Sequence, residues 1–297
     1  MTCRRKDLLM AVAVGMGLLL GVDMAWAQPA VAVSSDQILQ ILASPDRSAA
    51  DRTNDRRRKP EQMLGFIGIH PGMVALDLSA AGGYTTELLA RAIGPTGKVY
   101  GQSRPPRDPG SPPVAPPAAP EGNSHPTSAP AAARVAPAAP ASPPRTSPMA
   151  LADRDAKLRT AGIPAAPIVA VSRPFEDPIP PELAAGSVDI VTLMFNYHDL
   201  GHLGVDRAAM NRAVFQVVKP GGIYVIADHS GRSGTGISEA GTLHRIEEAF
   251  LRQEVEAVGF RLLAEGNFLR NPNDPRDKNT PDPPQPKDEF VLKFVKP

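Results

Sequence analysis

Residues 72–102 read GMVALDLSAAGGYTTELLARAIGPTGKVYGQ, and this pattern predicts a strand, a turn, a helix and a second strand. The apolar run Met73–Leu78 has the length and composition of a buried parallel strand. Small residues fill Ser79–Gly83, which predicts a tight turn that lets a ligand approach the backbone. Leucine and isoleucine recur at helical spacing in Tyr84–Ile93, and Lys98–Gly101 predicts the next strand. Such a right-handed crossover can hold a nucleotide at the helix N-terminus.

An acidic residue, Asp77, precedes the predicted turn by two positions. Many helices follow strands through a small-residue turn, so the unit alone does not define a ligand. A carboxylate beside the turn would repel a pyrophosphate group. The position of Asp77 therefore favours a cationic or hydroxyl-bearing ligand.

This stretch resembles the first motif of class I S-adenosylmethionine-dependent methyltransferases, in which an acid precedes three alternating glycines. Asp77 stands at the acidic position, while Ser79, Ala81 and Gly83 stand at the glycine positions. An acid at the end of the family's second strand binds the ribose hydroxyls, and Gln102 stands there in this chain. The resemblance also implies that the adenine lies near the loop after the third strand. It thus implies S-adenosylmethionine as the cofactor, bound by Asp77, Ser79, Ala81, Gly82, Gly83, Gln102, Glu176 and Asp177.

The N-terminus has the pattern of an export signal. Arg4 and Arg5 begin residues 1–27, an apolar run follows, and Ala25-Trp26-Ala27 is a cleavage signal. A membrane anchor is the alternative, but the apolar run is short for a full span. The twin arginines partly resemble the signal of folded-protein export. We expect a periplasmic or secreted protein that has no stable membrane insertion after cleavage and, because the only cysteine is Cys3, no disulfide.

Composition indicates one domain over residues 28–297 with an interruption. Hydrophobic residues make up 42% of the 297, which suffices for a sizeable core. A net charge of +1 gives no indication of nucleic acid or an acidic membrane as a partner. Pro, Ala and Ser dominate about 104–148, which predicts a disordered or polyproline insertion. Helix and strand patterns resume after it, so the insertion lies within the domain.

The segment before the first strand is predicted to hold helices and a charged run. Ser35 is a candidate cap for one helix, and Pro60 is a candidate start for another. Between them, Arg47–Lys59 is rich in arginine and aspartate. We favour a solvated face for this run; the alternative is a lid over the cofactor or an anchor for an acidic substrate.

Polar side chains follow two later strands. After the apolar strand Val188–Phe195 come Asn196, Tyr197, His198 and Asp199, and Ile223–Ala227 is followed by Asp228 and His229. Ligands bind beyond the carboxyl ends of parallel strands, so this edge is a candidate site, although capping and core packing would also explain these residues. The resulting hypothesis makes His198, or His229 oriented by Asp228, the general base, and Asn196 the residue that orients the acceptor. Asp199 joins them as a candidate catalytic residue.

A metal site at the same edge is an alternative. His198, His202 and Asp199 offer nitrogen and oxygen ligands, and Asp228 and His229 are expected nearby. Gly201 argues against one continuous helix across the histidine pair. We therefore predict no metal.

The remaining motifs complete the predicted fold. Lys219–Gly222 is a turn that again resembles class I methyltransferases, and a helix is predicted over Gly241–Val258. Phe260–Leu269 and Glu289–Val295 are predicted strands, paired antiparallel in that family. The prediction is an α/β fold with a Rossmann-like doubly wound sheet of about seven strands, mostly parallel with an antiparallel C-terminal strand, in three αβα layers. The combined motifs resemble an exported branch of bacterial predicted methyltransferases.

Two functions remain open from the sequence. One is methyl transfer from S-adenosylmethionine to the oxygen or nitrogen of a small molecule. The other is a catalytically inactive, exported binding protein with the same fold. Two motif glycines and the ribose-binding acid are absent, and the cofactor is made in the cytoplasm, which favours the second function. Nothing in the sequence indicates the oligomeric state.

Overall fold

A computed structural model describes residues 31–105, 146–279, 281 and 285–297. The predicted export signal and nearly all of the proline-rich insertion lie outside these residues. By their contacts, residues 31–297 form one compact unit. Within the described part of the chain, every helix is too short or too polar to cross a bilayer.

The described part of the chain contains eight helices and seven strands. The helices are α1 Ser35–Ala43, α2 Ala49–Arg58, α3 Pro60–Ile67, α4 Tyr84–Ile93, α5 Ser147–Thr160, α6 Tyr197–His202, α7 Arg207–Val217 and α8 Glu248–Glu256. The strands are β1 Val74–Leu78, β2 Lys98–Ser103, β3 Ile168–Ser172, β4 Val188–Met194, β5 Val218–His229, β6 Arg261–Gly266 and β7 Glu289–Val295.

All seven strands form one sheet in the order β3-β2-β1-β4-β5-β7-β6. The pairs among β1 to β5 are parallel, whereas β7 runs antiparallel to both β5 and β6. Strand order reverses beside β1, because β2 lies on one side of it and β4 on the other. The predicted doubly wound, mostly parallel sheet with an antiparallel C-terminal strand is confirmed.

Alternate residues of the central strands point to opposite faces of the sheet. On β5, Val225 and Ala227 belong to one buried cluster, while Tyr224 and Ile226 belong to another. Apolar residues of α1, α3, α4 and α5 join the first cluster, and those of α6, α7 and α8 join the second. Burial on both faces explains why these strands read as continuous apolar runs and why the fold has three layers.

Some predicted boundaries are wrong. The cap of α1 is Ser34, one residue earlier than expected, and its side chain and that of Gln37 form a capping box. The helix predicted over Gly241–Val258 begins only at Glu248. The preceding residues form turns, and Ile246 makes an isolated parallel bridge with Ser230, the residue after β5. The apolar spacing of Leu243 and Ile246 therefore reflects packing of a loop and not one helical face.

Glycine at position 201 does not interrupt α6. The helix runs from Tyr197 through Gly201 to His202, contrary to the expectation from the sequence. A Cβ atom on Gly201 would lie 2.5 Å from Cδ1 of Ile237. Close packing against Ile237, rather than helix breaking, explains this glycine.

Candidate functional site

The turn after β1 adopts the left-handed backbone that its glycine-poor sequence disfavours. The φ angles are 56° at Ser79, 47° at Ala81 and 76° at Gly83. These are the positions that carry alternating glycines in the motif that the sequence resembles. A Cβ atom on Gly83 would come within 2.7 Å of Leu151 Cδ2, so α5 packs directly on the turn. The backbone of a glycine turn is thus kept although only one of the three residues is glycine.

Asp77 lies under this turn at the end of β1. Its side chain is buried, and it accepts hydrogen bonds from the hydroxyls of Thr86 (2.6 Å) and Thr192 (2.7 Å). Burial raises the pKa of Asp77 to about 6, although the two hydroxyls act in the opposite direction. Asp77 is therefore a mostly ionised carboxylate at neutral pH in a place that disfavours its charge.

Gln102 holds the turn from below. It is fully buried, its Oε1 accepts from the backbone N–H of Ser79 (3.1 Å), and its Nε2 donates to the carbonyl of Arg173 (2.7 Å). Both ends of the amide are thus engaged by backbone groups. This geometry favours a positioning role over the predicted direct contact with a ribose.

The loop after β3 lies at the predicted edge but outside the wall of the cleft. Asp177 is exposed there and forms an ion pair with Arg173, while Glu176 is half-buried. Their predicted contact with the adenine stays a prediction.

A cleft of about 330 Å³ opens above the turn. This volume is at the lower end of the range for small-molecule sites. Its wall comprises residues of the turn region, of α2, of α5 and of the end of β4: Ala50, Asp51, Asn54, Arg58, Asp77, Ser79, Ala80, Ala81, Gly82, Tyr84, Thr85, Arg154, Met194, Phe195 and Asn196.

One side of the charged run Arg47–Lys59 lines this cleft, whereas Arg52 and Arg56 are exposed, so the favoured solvated face and the lid alternative each describe part of the run. Its helix α2 has a buried aspartate, Asp51, whose Oδ1 lies 2.8 Å from Nη2 of Arg154 on α5. Arg154 also pairs with Glu87 of α4 and donates to the carbonyl of Gly82 in the turn. One guanidinium therefore ties α2, the turn and α4 together, as the lid alternative requires.

Arg58, also on α2, carries a positive charge into the cleft. Its guanidinium lies over the rings of Phe195 (4.7 Å to the centroid) and Tyr84 (5.5 Å). Among the residues that the structure describes, no carboxylate forms an ion pair with Arg58, and its buried Nε has no hydrogen-bond partner. Burial lowers the pKa of Arg58, and the nearby Arg57 adds to the effect. Arg58 is therefore a cation available to an anionic group of a ligand.

Hydrogen bonds connect the turn to the histidine edge. The hydroxyl of Ser79 donates to Oδ1 of Asn196 (2.7 Å), and Nδ2 of Asn196 donates to Oδ2 of Asp199 (2.7 Å). The other oxygen of Asp199 lies 3.1 Å from Nε2 of His198 and 3.0 Å from Nδ1 of His244. The sheet thus brings the predicted residues Ser79, Asn196, His198 and Asp199 into one network.

His198 does not have the geometry of the predicted general base. Its Nδ1 lies 2.6 Å from Oδ1 of Asp228, and its Nε2 faces Asp199, so neither nitrogen has a free lone pair. Burial lowers the pKa of His198, but the hydrogen bonds to Asp199 and Asp228 outweigh burial and raise it to about 9. His198 is therefore protonated at neutral pH in this arrangement.

Asp228 orients His198 and not the ring of His229, which is a further correction. It accepts from the backbone N–H groups of His198 (2.8 Å) and His229 (2.7 Å). The His229 ring instead contacts Glu289, with Nδ1 2.9 Å from Oε1. Burial lowers the pKa of His229 to about 3 and raises the pKa of Glu289 to about 7, with Arg57 acting against the latter shift. The two side chains form a buried pair in which Glu289 is the stronger base.

A second cavity, of about 790 Å³, lies beside this pair. His229 and Glu289 form part of its wall, and most of the other charged residues there are cations, including Arg57, Lys59, Arg270 and Lys287. The ring of His229 lies 5.8 Å from that of Phe195, which lines the cleft above the turn. Phe195 therefore lies between the cleft and the basic cavity.

Three side chains at the site were not identified from the sequence, namely Arg154, His244 and Glu289. Asp51 and Arg58 belong to the charged run 47–59, for which a lid or an anchor was only the alternative interpretation. Arg154, His244 and Glu289 lie in elements remote in sequence from the motifs, so only the folded chain brings them to the site.

Comparisons with known proteins concern the fold. No protein-family model and no curated protein sequence matches this chain. Among solved structures, it is similar to a SAM-dependent methyltransferase from Aquifex aeolicus, with 15% identity, a TM-score of 0.49, and coverage of 89% of this chain and 100% of that one. It is also similar to geranyl diphosphate C-methyltransferase from Streptomyces coelicolor A3(2), solved with S-adenosyl-L-homocysteine, with 11% identity, a TM-score of 0.49, and coverage of 86% and 87%. At these identities, a functional assignment rests on the residues of this chain.

Proposed function

We propose that this protein is an S-adenosylmethionine-dependent methyltransferase that acts on an oxygen or nitrogen atom of a small molecule. The observation that carries the proposal is the cleft above the turn 79–83. Asp77 lies below the turn, and the wall of the cleft holds Arg58, which has no ion-pair partner among the described residues. A left-handed turn of small residues between a parallel strand and a helix allows a ligand to approach the backbone closely.

The charges of the cleft suit a zwitterionic amino-acid group. Arg58 would bind the carboxylate of the methionine moiety, because a guanidinium forms two parallel hydrogen bonds with a carboxylate. Asp77 keeps a negative charge under the turn, which the positive charges of the ligand would offset. Gln102 would act through the turn, since its amide fixes the backbone at Ser79.

Methyl transfer requires little covalent chemistry from the protein. When bound, S-adenosylmethionine would supply the methyl group: the acceptor's lone pair would form the new bond to carbon as the bond from carbon to sulfur breaks. S-adenosylhomocysteine would leave, and the acceptor would lose one proton. Alignment of the nucleophile, the methyl carbon and sulfur supplies most of the acceleration in such reactions.

Glu289 is the side chain best placed to take the acceptor's proton. It lies in the wall of the basic cavity, and its pKa of about 7 matches the pH at which a general base works well. The cations around it favour a small acceptor that carries a carboxylate or phosphate group. Arg57, whose Nη1 lies 3.2 Å from Oε1 of Glu289, would contact such an acceptor.

We also propose that the protein works in the periplasm or outside the cell, on the basis of residues 1–27, and that its partners are small molecules and not nucleic acid. An exported methyltransferase needs a source of cofactor there. If none exists, the same cleft would serve a binding protein that holds a zwitterionic small molecule without turnover. The second function is favoured by Ser79 and Ala81, whose side chains add atoms beside the cleft.

A turnover assay with a base variant tests the proposed reaction. Release of S-adenosylhomocysteine would be measured with a panel of small hydroxy and amino acids and phosphate esters. We expect release above the acceptor-free background for a subset of the panel. Glu289→Gln, which keeps the side-chain shape, should lose most of the turnover, on the order of 100-fold, while it still binds the cofactor.

Two outcomes would contradict this account. Cofactor binding without turnover over the whole panel would favour the binding-protein alternative. Unchanged turnover in Glu289→Gln would remove Glu289 from the mechanism.

A further inference from the structure

We propose that His198, Asp199 and His244 form a binding site for a divalent transition-metal cation. One ligand atom from each residue can be chosen so that all three lie within 4.8 Å of one another. The sequence brings His198 and Asp199 together on α6, whereas His244 comes from the loop before α8. The proposal does not depend on methyl transfer, because it concerns only these side chains.

Two of the three distances between the ligand atoms are those of an octahedral site, and the third is at most 4.8 Å. Oδ1 of Asp199 lies 3.1 Å from Nε2 of His198 and 3.0 Å from Nδ1 of His244. Metal bonds of about 2.1 Å at right angles would separate neighbouring ligands by about 3.0 Å, whereas tetrahedral angles would separate them by about 3.4 Å. Two imidazoles and one carboxylate on one face are a ligand set that suits first-row metals and leaves positions open.

Neighbouring groups fix the orientation of two of the ligands. Asp228 contacts Nδ1 of His198 at 2.6 Å, which directs Nε2 toward Asp199. Asn196 donates to Oδ2 of Asp199 and leaves Oδ1 directed at the two rings. A carboxylate behind a ligating histidine is a common feature of metal sites, where it sets the tautomer and raises the basicity of the ring.

One side of the cluster is open. His198 is buried, but 42% of the His244 side chain and 27% of the Asp199 side chain are exposed. A cation would offset the negative charges of the two nearby carboxylates, Asp199 and Asp228. Its open positions would take water or an oxygen atom of a ligand.

Calorimetric titration of the tag-free protein with Zn²⁺ and with Mn²⁺, in the absence of S-adenosylmethionine, tests the site. We expect one cation per chain, with much weaker binding of Mg²⁺, which prefers oxygen ligands. His244→Ala and Asp199→Asn should each weaken Zn²⁺ binding at least about tenfold, and Asp228→Asn about 10- to 100-fold. His202→Ala is the matched control, because it removes a histidine of the same helix that lies outside the cluster. The affinity of this variant for Zn²⁺ should equal that of the wild type.

His244 is half exposed, so its variant should fold, and a circular dichroism spectrum checks this. Absence of binding by the folded wild type would overturn the proposal, as would equal affinities of His244→Ala and the wild type. Since no cofactor is present, neither result bears on whether S-adenosylmethionine binds.

Discussion

Ala81 adopts a backbone conformation that costs free energy for any residue with a Cβ atom. Its φ of 47° lies in the left-handed region. A residue with a Cβ atom is destabilised in that region by about 1–2 kcal/mol. Replacement by glycine would remove this cost, but glycine also increases the conformational entropy of the unfolded chain, which cancels part of the gain. We expect Ala81→Gly to raise the free energy of unfolding by about 0.5–1 kcal/mol in urea titrations.

The neighbouring Ala80 provides the control for this prediction. It is buried, its backbone N–H donates to the carbonyl of Gln102, and its φ is not positive. Ala80→Gly should therefore destabilise the protein by about 1 kcal/mol. If both changes destabilise equally, strain in the turn is not the reason for the effect at position 81.

The buried carboxylate of Asp77 makes stability depend on pH. Its pKa is raised from 3.8 to about 6 on folding, so the folded chain binds the proton more tightly than the unfolded chain does. Between pH 4 and 6, the contribution of Asp77 to the free energy of unfolding therefore falls as pH rises. The total decrease across the titration is about 3 kcal/mol. Unfolding of the wild type and of Asp77→Asn in urea, from pH 4 to 7, measures this dependence.

We expect the asparagine variant to gain stability relative to the wild type as pH rises through this window. The threonine hydroxyls can accept from the new amide as well as donate to its oxygen. A difference between the two proteins that stays constant from pH 4 to 7, or that changes in the opposite direction, would contradict the burial of an ionisable Asp77.

The sequence identified most of the residues at this scale but not their interactions. Asp77, Ser79, Asn196, His198 and Asp199 were predicted from their positions at strand ends, and the structure joins them in one region. The role of His198 was not predictable, because its protonation depends on Asp228, which is 30 residues away in sequence. A strand-end pattern predicts location, whereas pKa values depend on neighbours in space.

At the scale of elements, Arg154 links α2 to the turn 79–83. It pairs with Asp51 and Glu87, both of which are buried. Arg154→Met would leave the buried Asp51 without its ion-pair partner, whereas Glu87 would keep its pair with Arg91. We therefore expect a loss of about 2–4 kcal/mol in the free energy of unfolding. Hydrogen exchange of the α2 amides should increase as well, because the link that holds this helix over the cleft is lost.

Arg159→Met on the same helix is the matched control. Its ion pair with Asp155 is of the i, i+4 type, and 73% of the Arg159 side chain is exposed. The change should cost less than about 0.5 kcal/mol and leave exchange in α2 unaltered. Equal effects of the two variants would show that Arg154 does not hold α2 in place.

Elements with strong apolar periodicity were predicted well, and those held by charge were not. α4 and β7 match their predicted spans and β1 begins one residue later than predicted, since burial on one or both faces determines their patterns. The solvated-face interpretation of α2 was incomplete, because the buried Asp51 forms an ion pair with Arg154 of α5, and such a contact leaves no periodic apolar signal. The helix prediction was wrong over Gly241–Glu247, because the buried apolar residues of this loop have the spacing of a helical face.

At the scale of the whole molecule, the carboxyl ends of β1, β4 and β5 meet where strand order reverses, and both cavities open near this edge. The sequence predicted the sheet and this edge from strand order in the resembled family. It did not predict the basic cavity, whose wall combines α2, the end of β5 and the loop before β7. Residues so far apart in sequence converge only through the complete topology.

Binding of S-adenosylmethionine through Arg58 is the most direct test of the whole account. Calorimetric titration of the protein with S-adenosylmethionine and S-adenosylhomocysteine should give micromolar dissociation constants, equivalent to about −8 kcal/mol. Arg58→Gln should weaken binding at least about tenfold, because a charged hydrogen bond to the ligand carboxylate is lost. Arg52→Gln, an exposed arginine of the same helix that bonds to carbonyls of α1 and its cap, should leave the affinity unchanged. No binding by the folded wild type, or equal binding by Arg58→Gln and the wild type, would contradict the assignment of this cleft to the cofactor.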